Sequence, residues 1–370
     1  MKKVMITFGT RPEAIKLLPL VQVLKADGSF DVKVVVTAQH RDMLDQVLSV
    51  FKIIPDIDLD LMTPNQSLET ITARVVERMG SVFGDIRPDL LFVQGDTTTT
   101  MATALAAFYH RIPVGHVEAG LRSFDMYNPF PEEVNRKIAS QLTTFHFAPT
   151  ERARKNLLLE NVPDNHIHVV GNTVIDALQW ITGQAESISD PAIQKIMDDP
   201  KRLILVTAHR RENFGKPLED ICKALLAIAQ NHDVRIVYPV HLNPNVRSVV
   251  FPMLGDVPNI TLTEPLDYMQ FAVLLKKATL ILTDSGGIQE EAPHFGIPVL
   301  VLRETTERPE AIEAGTAKLV GTDASVIIAE TDQLLTDQTA YDAMANRANP
   351  FGDGTSSRQI RDIVRERFSC

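Results

Sequence analysis

The chain has 370 residues, 44% of them apolar and 23% charged, with a net charge of −10. That length suits two domains of about 100–200 residues each, and the composition is that of a soluble globular protein with apolar side chain enough for two cores. An acidic balance with no basic run argues against wrapping nucleic acid or lying on an anionic membrane. The two cysteines, Cys222 and Cys370, give neither a disulfide framework nor a metal spacing and suit a reducing cytoplasm. Met1-Lys2-Lys3 runs straight into a strand pattern without a signal-peptide core. No apolar stretch approaches about 18 residues, so no membrane span is expected.

Residues 4–8 read as a strand, followed by Gly9-Thr10-Arg11-Pro12-Glu13 and a helical pattern through Ile15, Leu18, Val21 and Leu24. Thr10 and Glu13 have capping-box spacing, and Pro12 suits a first turn. Arg11 and Lys16 stand near that helix start, where the dipole disfavours cations; a bound anion would compensate them, and plain solvation is the alternative. Residues 32–36 form the next strand and 42–51 a helix. Residues 89–94 are a buried strand ending at Gly95-Asp96, followed by four threonines, 97–100, and an alanine-rich helix over 101–109. Threonine costs up to roughly 0.7 kcal/mol against alanine in a helix, so the run implies tight packing or the wall of a site. Asp96 stands at the carboxyl end of a strand, where open α/β sheets bind ligands; capping the next helix is its alternative role.

Residues 114–117 form a short strand ending in Glu118-Ala119-Gly120, and 121–127 read as loop. Asn128-Pro129-Phe130-Pro131 then introduces a helix opening on Glu132. Asp96, Glu118 and Glu132 thus fall at strand ends or loops on one side of one sheet. Any one of them alone reads as a solvated carboxylate; their recurrence at corresponding ends favours a functional site. Strands at 145–148 and 168–170 finish this half, Gly171-Asn172 is a crossing point, and the polar stretch 187–200 reads as a surface connection.

The second half repeats the alternation. A strand at 203–207 leads to Ala208-His209-Arg210-Arg211, a helix covers 217–230, and a strand at 234–238 leads to His241-Leu242-Asn243-Pro244. A strand at 260–262, a helix over 267–276 and a strand at 280–282 follow, ending in Thr283-Asp284-Ser285-Gly286-Gly287. A strand, a glycine turn and a helix starting near Ile288 gather unpaired backbone N–H groups, which attract phosphate; an ordinary strand-to-helix turn is the alternative. Glu290 and Glu291 are expected in the first helical turn, favoured there by the dipole or reaching a ribose hydroxyl. A strand over 299–302 comes next. Arg308-Pro309-Glu310-Ala311-Ile312 repeats Arg11-Pro12-Glu13-Ala14-Ile15, as two similarly wound halves would, and a last helix spans 356–368. Two doubly wound halves with their ligand-binding ends facing each other form a cleft, to which His209, Arg210 and Arg211 bring positive charge. No His or Cys spacing suits zinc, and there is no nucleophile elbow.

Taken together, Phe8-Gly9-Thr10-Arg11-Pro12-Glu13, Gly95-Asp96-Thr97-Thr98-Thr99-Thr100, Gly115-His116-Val117-Glu118-Ala119-Gly120-Leu121-Arg122, Pro131-Glu132-Glu133, His209-Arg210-Arg211-Glu212-Asn213, His241-Leu242-Asn243-Pro244, Asp284-Ser285-Gly286-Gly287-Ile288-Gln289-Glu290-Glu291 and Thr306-Glu307-Arg308-Pro309-Glu310 resemble the bacterial non-hydrolysing UDP-N-acetylglucosamine 2-epimerases, in order and over essentially the whole chain. The resemblance implies an α/β GT-B fold. Two Rossmann-like domains would cover 1–172 and 173–350, and a C-terminal helix, 351–370, would pack back on the first. It implies interconversion of UDP-GlcNAc and UDP-ManNAc by elimination to 2-acetamidoglucal and re-addition of UDP, supplying ManNAc for cell-surface polysaccharide. It also implies no nicotinamide, metal or other cofactor, and a homodimer.

By the same resemblance Asp96, Glu118 and Glu132 are the acid/base carboxylates, and His209 contacts the diphosphate and assists its departure. Ser285, Gly286 and Gly287 would hold phosphate, Glu291 the ribose, and Arg11, Lys16 and Arg308 further parts of the nucleotide. Phe271 would pack on uracil or serve as helix core. Gln39, Arg210 and His241 match a second, activating UDP-GlcNAc site, with Glu132 between the two. The chain departs from that pattern at Asp42, where Gln or Glu is usual, and at Asn65, where some members have arginine. A GT-B glycosyltransferase, a hydrolysing epimerase and a nucleotide-sugar sensor are the rival readings.

Overall fold

Strands that are apolar on both faces pair in parallel, because crossover helices must cover both sides of the sheet. The computed structural model describes residues 1–37, 41–61, 66–184 and 190–368. Strands β1 (Lys2–Phe8), β2 (Phe30–Val36), β3 (Ile57–Asp58), β4 (Leu90–Gln94), β5 (Val114–Val117), β6 (Phe145–Ala148) and β7 (Ile167–Val169) form one sheet in the order β3-β2-β1-β4-β5-β6-β7. Strands β8 (Arg202–Thr207), β9 (Val234–Pro239), β10 (Ile260–Thr263), β11 (Leu280–Thr283), β12 (Val299–Val301) and β13 (Ala317–Leu319) form a second, ordered β10-β9-β8-β11-β12-β13. Every pairing among these strands is parallel.

Both sheets are doubly wound. The chain lays strands outward to one side and then returns to the other, so the order reverses between β1 and β4 and again between β8 and β11. At such a reversal the loops leaving the two strands part, and their carboxyl ends open a crevice. Met1–Trp180 with the stretch from Phe351 onward forms one compact unit, and Ile181–Pro350 the other. The chain therefore leaves the first unit inside helix Thr173–Thr182, whose Trp180 stacks on Phe51 at 4.5 Å and 12°. Helix Ser356–Arg367 packs against helix Arg11–Ala26. Its first turn is held by the buried Asp176 carboxylate, which accepts from the Ser356 N–H at 3.2 Å and the Ser357 N–H at 2.7 Å.

Several elements depart from the sequence expectations. The polar stretch ahead of β8 holds a helix, Pro191–Asp198, capped by Asp190, whose side chain accepts from the Ala192 N–H at 2.8 Å. Ile193 and Ile196, one turn apart, are both buried. Two apolar residues at helical spacing behind an Asp cap outweigh a polar composition. The threonine run is not a lead-in: Thr97 is the N-cap and helix Thr98–Tyr109 begins at the next residue. Helix Leu68–Ile86, for which no expectation was set, buries Ile71, Val75, Met79, Val82 and Phe83 in a 3–4 residue stripe. Both copies of the Arg-Pro-Glu-Ala-Ile repeat follow a strand and enter a helix, as expected, but after strands at different places in their sheets. The first copy opens the long helix after β1, whereas the second gives the five-residue helix Pro309–Glu313 after β12. Among the described residues no helix is long and apolar enough to cross a membrane.

Asp176→Ala leaves two buried N–H groups unpaired, and urea unfolding of this variant should show a loss of about 1–3 kcal/mol. Asp176→Asn, which keeps an acceptor, should lose less, and equal losses in the two would refute the cap.

Candidate active site

In the first unit the crevice between β1 and β4 is closed at its base by one side chain. Glu13, 1% exposed, turns its carboxylate back over its own helix start, where Oε2 accepts from the Gly9 N–H at 3.1 Å and the Thr10 N–H at 2.7 Å. Its Oε1 accepts from the Thr97 hydroxyl at 2.7 Å, which belongs to the loop after β4. The capping box expected at Thr10 and Glu13 is therefore present, and it also ties the two loops together. Burial raises the Glu13 pKa, opposed by these hydrogen bonds. A Cβ on Gly9 would stand 2.2 Å from the Thr37 hydroxyl, so only glycine fits there.

Asp96 and Glu118 follow the adjacent parallel strands β4 and β5, whose register pairs Gln94 with Val117. Each meets a cation. The Arg136 guanidinium donates to Asp96 Oδ2 at 2.5 Å, and Lys16 Nζ donates to Glu118 Oε2. Glu118 also accepts from Gln94 Nε2 at 3.0 Å and Asn172 Nδ2 at 2.8 Å. It is buried and adopts φ +64, a left-handed conformation that a residue with a long side chain holds only where surrounding contacts enforce it. Glu132 opens helix Glu132–Leu142. Asn135 and Arg136, three and four residues on, reach the Asp96 carbonyl at 2.9 Å and the Asp96 carboxylate, so Glu132 lies one turn away on the same helix face. Its Oε2 is buried with no hydrogen-bond partner among the described residues, a costly state for a carboxylate.

Two histidines lie beneath these carboxylates. His116 on β5 and His146 on β6 are register partners, both 1% exposed. His116 Nε2 lies 2.7 Å from the Gly95 carbonyl and His146 Nε2 3.1 Å from the Ser140 carbonyl. A carbonyl only accepts, so each Nε2 carries the ring proton; the His116 Nδ1 is buried with no hydrogen-bond partner among the described residues. Burial pushes His116 down to about 3 and His146 down to about 4.

The second unit is pinned at its own reversal by Asp284, fully buried after β11. Its Oδ2 accepts from the His209 and Arg210 N–H groups, both at 2.8 Å, and from Asn213 Nδ2 at 3.0 Å. Its other oxygen faces His209 Nδ1 at 3.7 Å, within ion-pair range but too far for a hydrogen bond. The half-exposed His209 ring stacks on His241 at 5.4 Å and 19°. Burial lowers the His209 pKa against the pull of Asp284. Ser285 caps helix Gly286–Glu291 without a side-chain bond. None of the helix's own carboxylates lies in its first turn, although Glu307 Oε2 would stand 3.8 Å from a Cβ on Gly286.

Glu290 and Glu291 correct the sequence expectation. The glycines are helical, which moves both carboxylates to the end of the helix. There Arg308 donates to Glu290 Oε1, and the Tyr268 hydroxyl donates to Glu291 Oε1 at 3.2 Å. A Cβ on Gly286 would stand 3.8 Å from Arg308 Cζ, and Gly287 is open. Arg210 reaches Glu307 at 3.6 Å. Phe271, on helix Tyr268–Lys277, is half-buried, whereas the next four residues of the helix are buried.

The first unit thus gathers Lys16, Asp96, Glu118 and Glu132, with Arg11 at the start of the Lys16 helix. The second gathers His209, Arg210, His241, Ser285, Gly286, Gly287, Glu291 and Arg308. At that helix start the Lys16 charge is met by the Glu118 carboxylate. Gln94 and Asn172 carry no functional signal in the sequence, and Arg136 carries only its i+4 spacing from Glu132. Gln39 lies outside the described residues, as do Asn65 and the side chain of Asp42. Among the described residues no group of three or more His, Cys, Asp or Glu is placed to hold a metal.

Two doubly wound parallel sheets with interleaved helices make this an α/β protein of the GT-B fold. Residues 22–365 match the sequence family described as UDP-N-acetylglucosamine 2-epimerase. The Salmonella typhimurium UDP-N-acetylglucosamine 2-epimerase is 56% identical over 98% of both chains. The UDP-GlcNAc 2-epimerase of Neisseria meningitidis, solved bound to UDP-GlcNAc, superposes with a TM-score of 0.86 at 48% identity, covering 98% of this chain and 100% of that one. The Methanocaldococcus jannaschii enzyme, in complex with UDP-GlcNAc and UDP, gives 0.77 at 35% identity over 98% and 99%. The chain belongs to the UDP-N-acetylglucosamine 2-epimerase family.

The two buried histidines set an acid limit on stability. Their folded pKa values lie below the unfolded value, so the unfolded chain takes up protons first and stability falls as pH drops from about 6.5 toward 3. For His116 the full loss is on the order of 5 kcal/mol. In His116→Met, stability followed by chemical unfolding should fall less steeply across that window, and an unchanged slope would show that His116 is not the source.

Proposed function

We propose that the protein interconverts UDP-GlcNAc and UDP-ManNAc without net hydrolysis, by eliminating UDP and adding it back. Carbon 2 of the sugar carries a weakly acidic hydrogen with no adjacent carbonyl, so direct abstraction is slow. If the bond from carbon 1 to the diphosphate oxygen breaks, its electron pair leaves with UDP and positive charge builds at carbon 1. The carbon-2 proton then passes to a carboxylate as the carbon 1–carbon 2 double bond of 2-acetamidoglucal forms. A proton delivered to the opposite face of carbon 2, with return of UDP to carbon 1, completes the inversion.

The observation that carries this reading is the pair Asp96 and Glu118 at the ends of neighbouring strands, each held by a cation, with the unpartnered Glu132 oxygen one helical turn from Arg136. Inversion needs proton carriers for both faces of one carbon, and a binding module needs none. In the second unit the carry-over from the family gives Ser285, Gly286 and Gly287 the phosphates, Glu291 the ribose and Phe271 the uracil. His209 and Arg308 there, with Arg11 and Lys16 in the first unit, meet the leaving diphosphate. A helix N-terminus alone supplies about 0.3–2 kcal/mol, so full cations are needed as well. Burial lowers the His209 pKa against the pull of Asp284, so the full positive charge at the diphosphate is left to the arginines and Lys16. The same reading has the protein act as a homodimer supplying ManNAc for surface polysaccharide, and gives Gln39, Arg210 and His241 to an activating second UDP-GlcNAc.

Incubation with UDP-GlcNAc alone in heavy water should give UDP-ManNAc bearing deuterium at carbon 2, with little free UDP. Stoichiometric UDP with free ManNAc would establish a hydrolysing enzyme, and unchanged substrate a transferase or sensor. Asp96→Asn and Glu118→Gln should each reduce kcat by at least about 10²-fold while UDP still binds, as measured by calorimetry. A wild-type rate in either removes that carboxylate from the proton-transfer set.

A further inference from the structure

We infer that His116 and Gln94 form a reciprocal brace that fixes where Asp96 and Glu118 stand relative to one another, making His116 a positioning residue for the reaction. The inference rests on the acid/base reading of those two carboxylates and adds residues to which that reading gives no role.

The two carboxylates leave adjacent strands, and each strand grips the other's loop. From β4, Gln94 Nε2 donates to Glu118 Oε1 at 3.0 Å. From β5, His116 Nε2 donates to the Gly95 carbonyl at 2.7 Å, the peptide unit immediately before Asp96. The Gly95 N–H donates to the Val117 carbonyl at 3.0 Å, so both ends of residue 95 are bound to β5. Gly95 takes φ +74, the turn that carries the chain from β4 toward Asp96. Without the imidazole, the peptide that orients Asp96 loses the one side-chain anchor that β5 gives it among the described residues.

The cost of the arrangement argues that it has a purpose. His116 occupies the interior of a fully buried four-residue strand, where valine or isoleucine would pack without penalty. Among the described residues its Nδ1 has no hydrogen-bond partner in that interior. A buried acceptor that nothing satisfies is retained only where the other ring nitrogen does something an apolar side chain cannot. Gln94 is likewise 3% exposed at the end of an otherwise apolar strand. Proton transfer is sensitive to placement: a displacement of about 1 Å can cost about 10²-fold in rate.

Glutamine and methionine separate the donor from the volume. The amide nitrogen of glutamine lies as many bonds from Cα as His Nε2, and methionine has similar length with no donor. His116→Met should lower kcat for epimerisation by about 10²-fold, leaving KM and the UDP dissociation constant within about twofold of wild type. His116→Gln should recover most of that loss. Gln94→Met, which removes the other arm, should show the same split and serves if His116→Met does not fold. A near-wild-type kcat in the methionine variants, equal impairment of His116→Gln and His116→Met, or UDP binding lost in step with kcat would each overturn the brace. Wild-type rates in Asp96→Asn or Glu118→Gln would overturn the underlying acid/base reading itself. Inactive carboxylate variants beside an unimpaired His116→Met would overturn the brace alone.

Discussion

Each half of this chain depends on one buried carboxylate placed where its sheet reverses direction. In the first unit it is Glu13, spanning the loops after β1 and β4; in the second it is Asp284, spanning the loops after β8 and β11. The two are related but not identical solutions. Glu13 stands in the first turn of the helix after the first strand of its sheet and reaches toward the fourth, whereas Asp284 stands after the fourth and reaches back. The physical problem is the same in both. A doubly wound sheet parts its loops at the reversal, which opens a crevice for a ligand and also exposes N–H groups at two helix or loop starts. An anionic side chain that accepts several of those N–H groups satisfies them and fixes the crevice width in the same stroke.

Around those clamps, the chemistry-bearing groups are arranged in opposite-charge pairs. Lys16 meets Glu118, Arg136 meets Asp96, Arg308 meets Glu290 and Arg210 meets Glu307. Partly buried charges cannot stand alone without a large desolvation cost, so each finds a partner within the protein. The same pairing keeps the carboxylates in place for proton transfer. Preorganisation of this kind is what electrostatic catalysis requires, because groups already oriented need no rearrangement when charge develops.

Packing sets the tolerance of the first site. Gly9 passes so close to Thr37 and Thr99 that no side chain fits, and the Thr37 and Thr99 hydroxyls meet at 3.2 Å beside it. The threonine run, costly by helix propensity, is explained by where its hydroxyls go. Thr97 bonds Glu13 and caps its helix, and Thr100 donates to the Gln94 carbonyl at 2.6 Å. Short polar side chains allow strand, helix and clamp to approach one another, with the Thr97, Thr99 and Thr100 hydroxyls each partnered there.

The sequence by itself determined the alternation of apolar strands and amphipathic helices, the capping box at Thr10 and Glu13, and the strand-end places of Asp96, Glu118, His209 and Ser285. Those are local signals, written in periodicity and in residues next to one another, and the family motifs ride on them. Tertiary structure alone decided which distant groups meet: Lys16 with Glu118 across 102 positions, Asn172 with Glu118 across 54, and Asp284 with the loop 75 residues before it. It also decided that the glycines after Ser285 are helical, which carried Glu290 and Glu291 away from the helix start, and that two isoleucines suffice to make Pro191–Asp198 a helix. Propensity weighs each residue against its neighbours in sequence. A buried ion pair or hydrogen bond is set by the order in which strands are laid into a sheet, and no local pattern encodes that order.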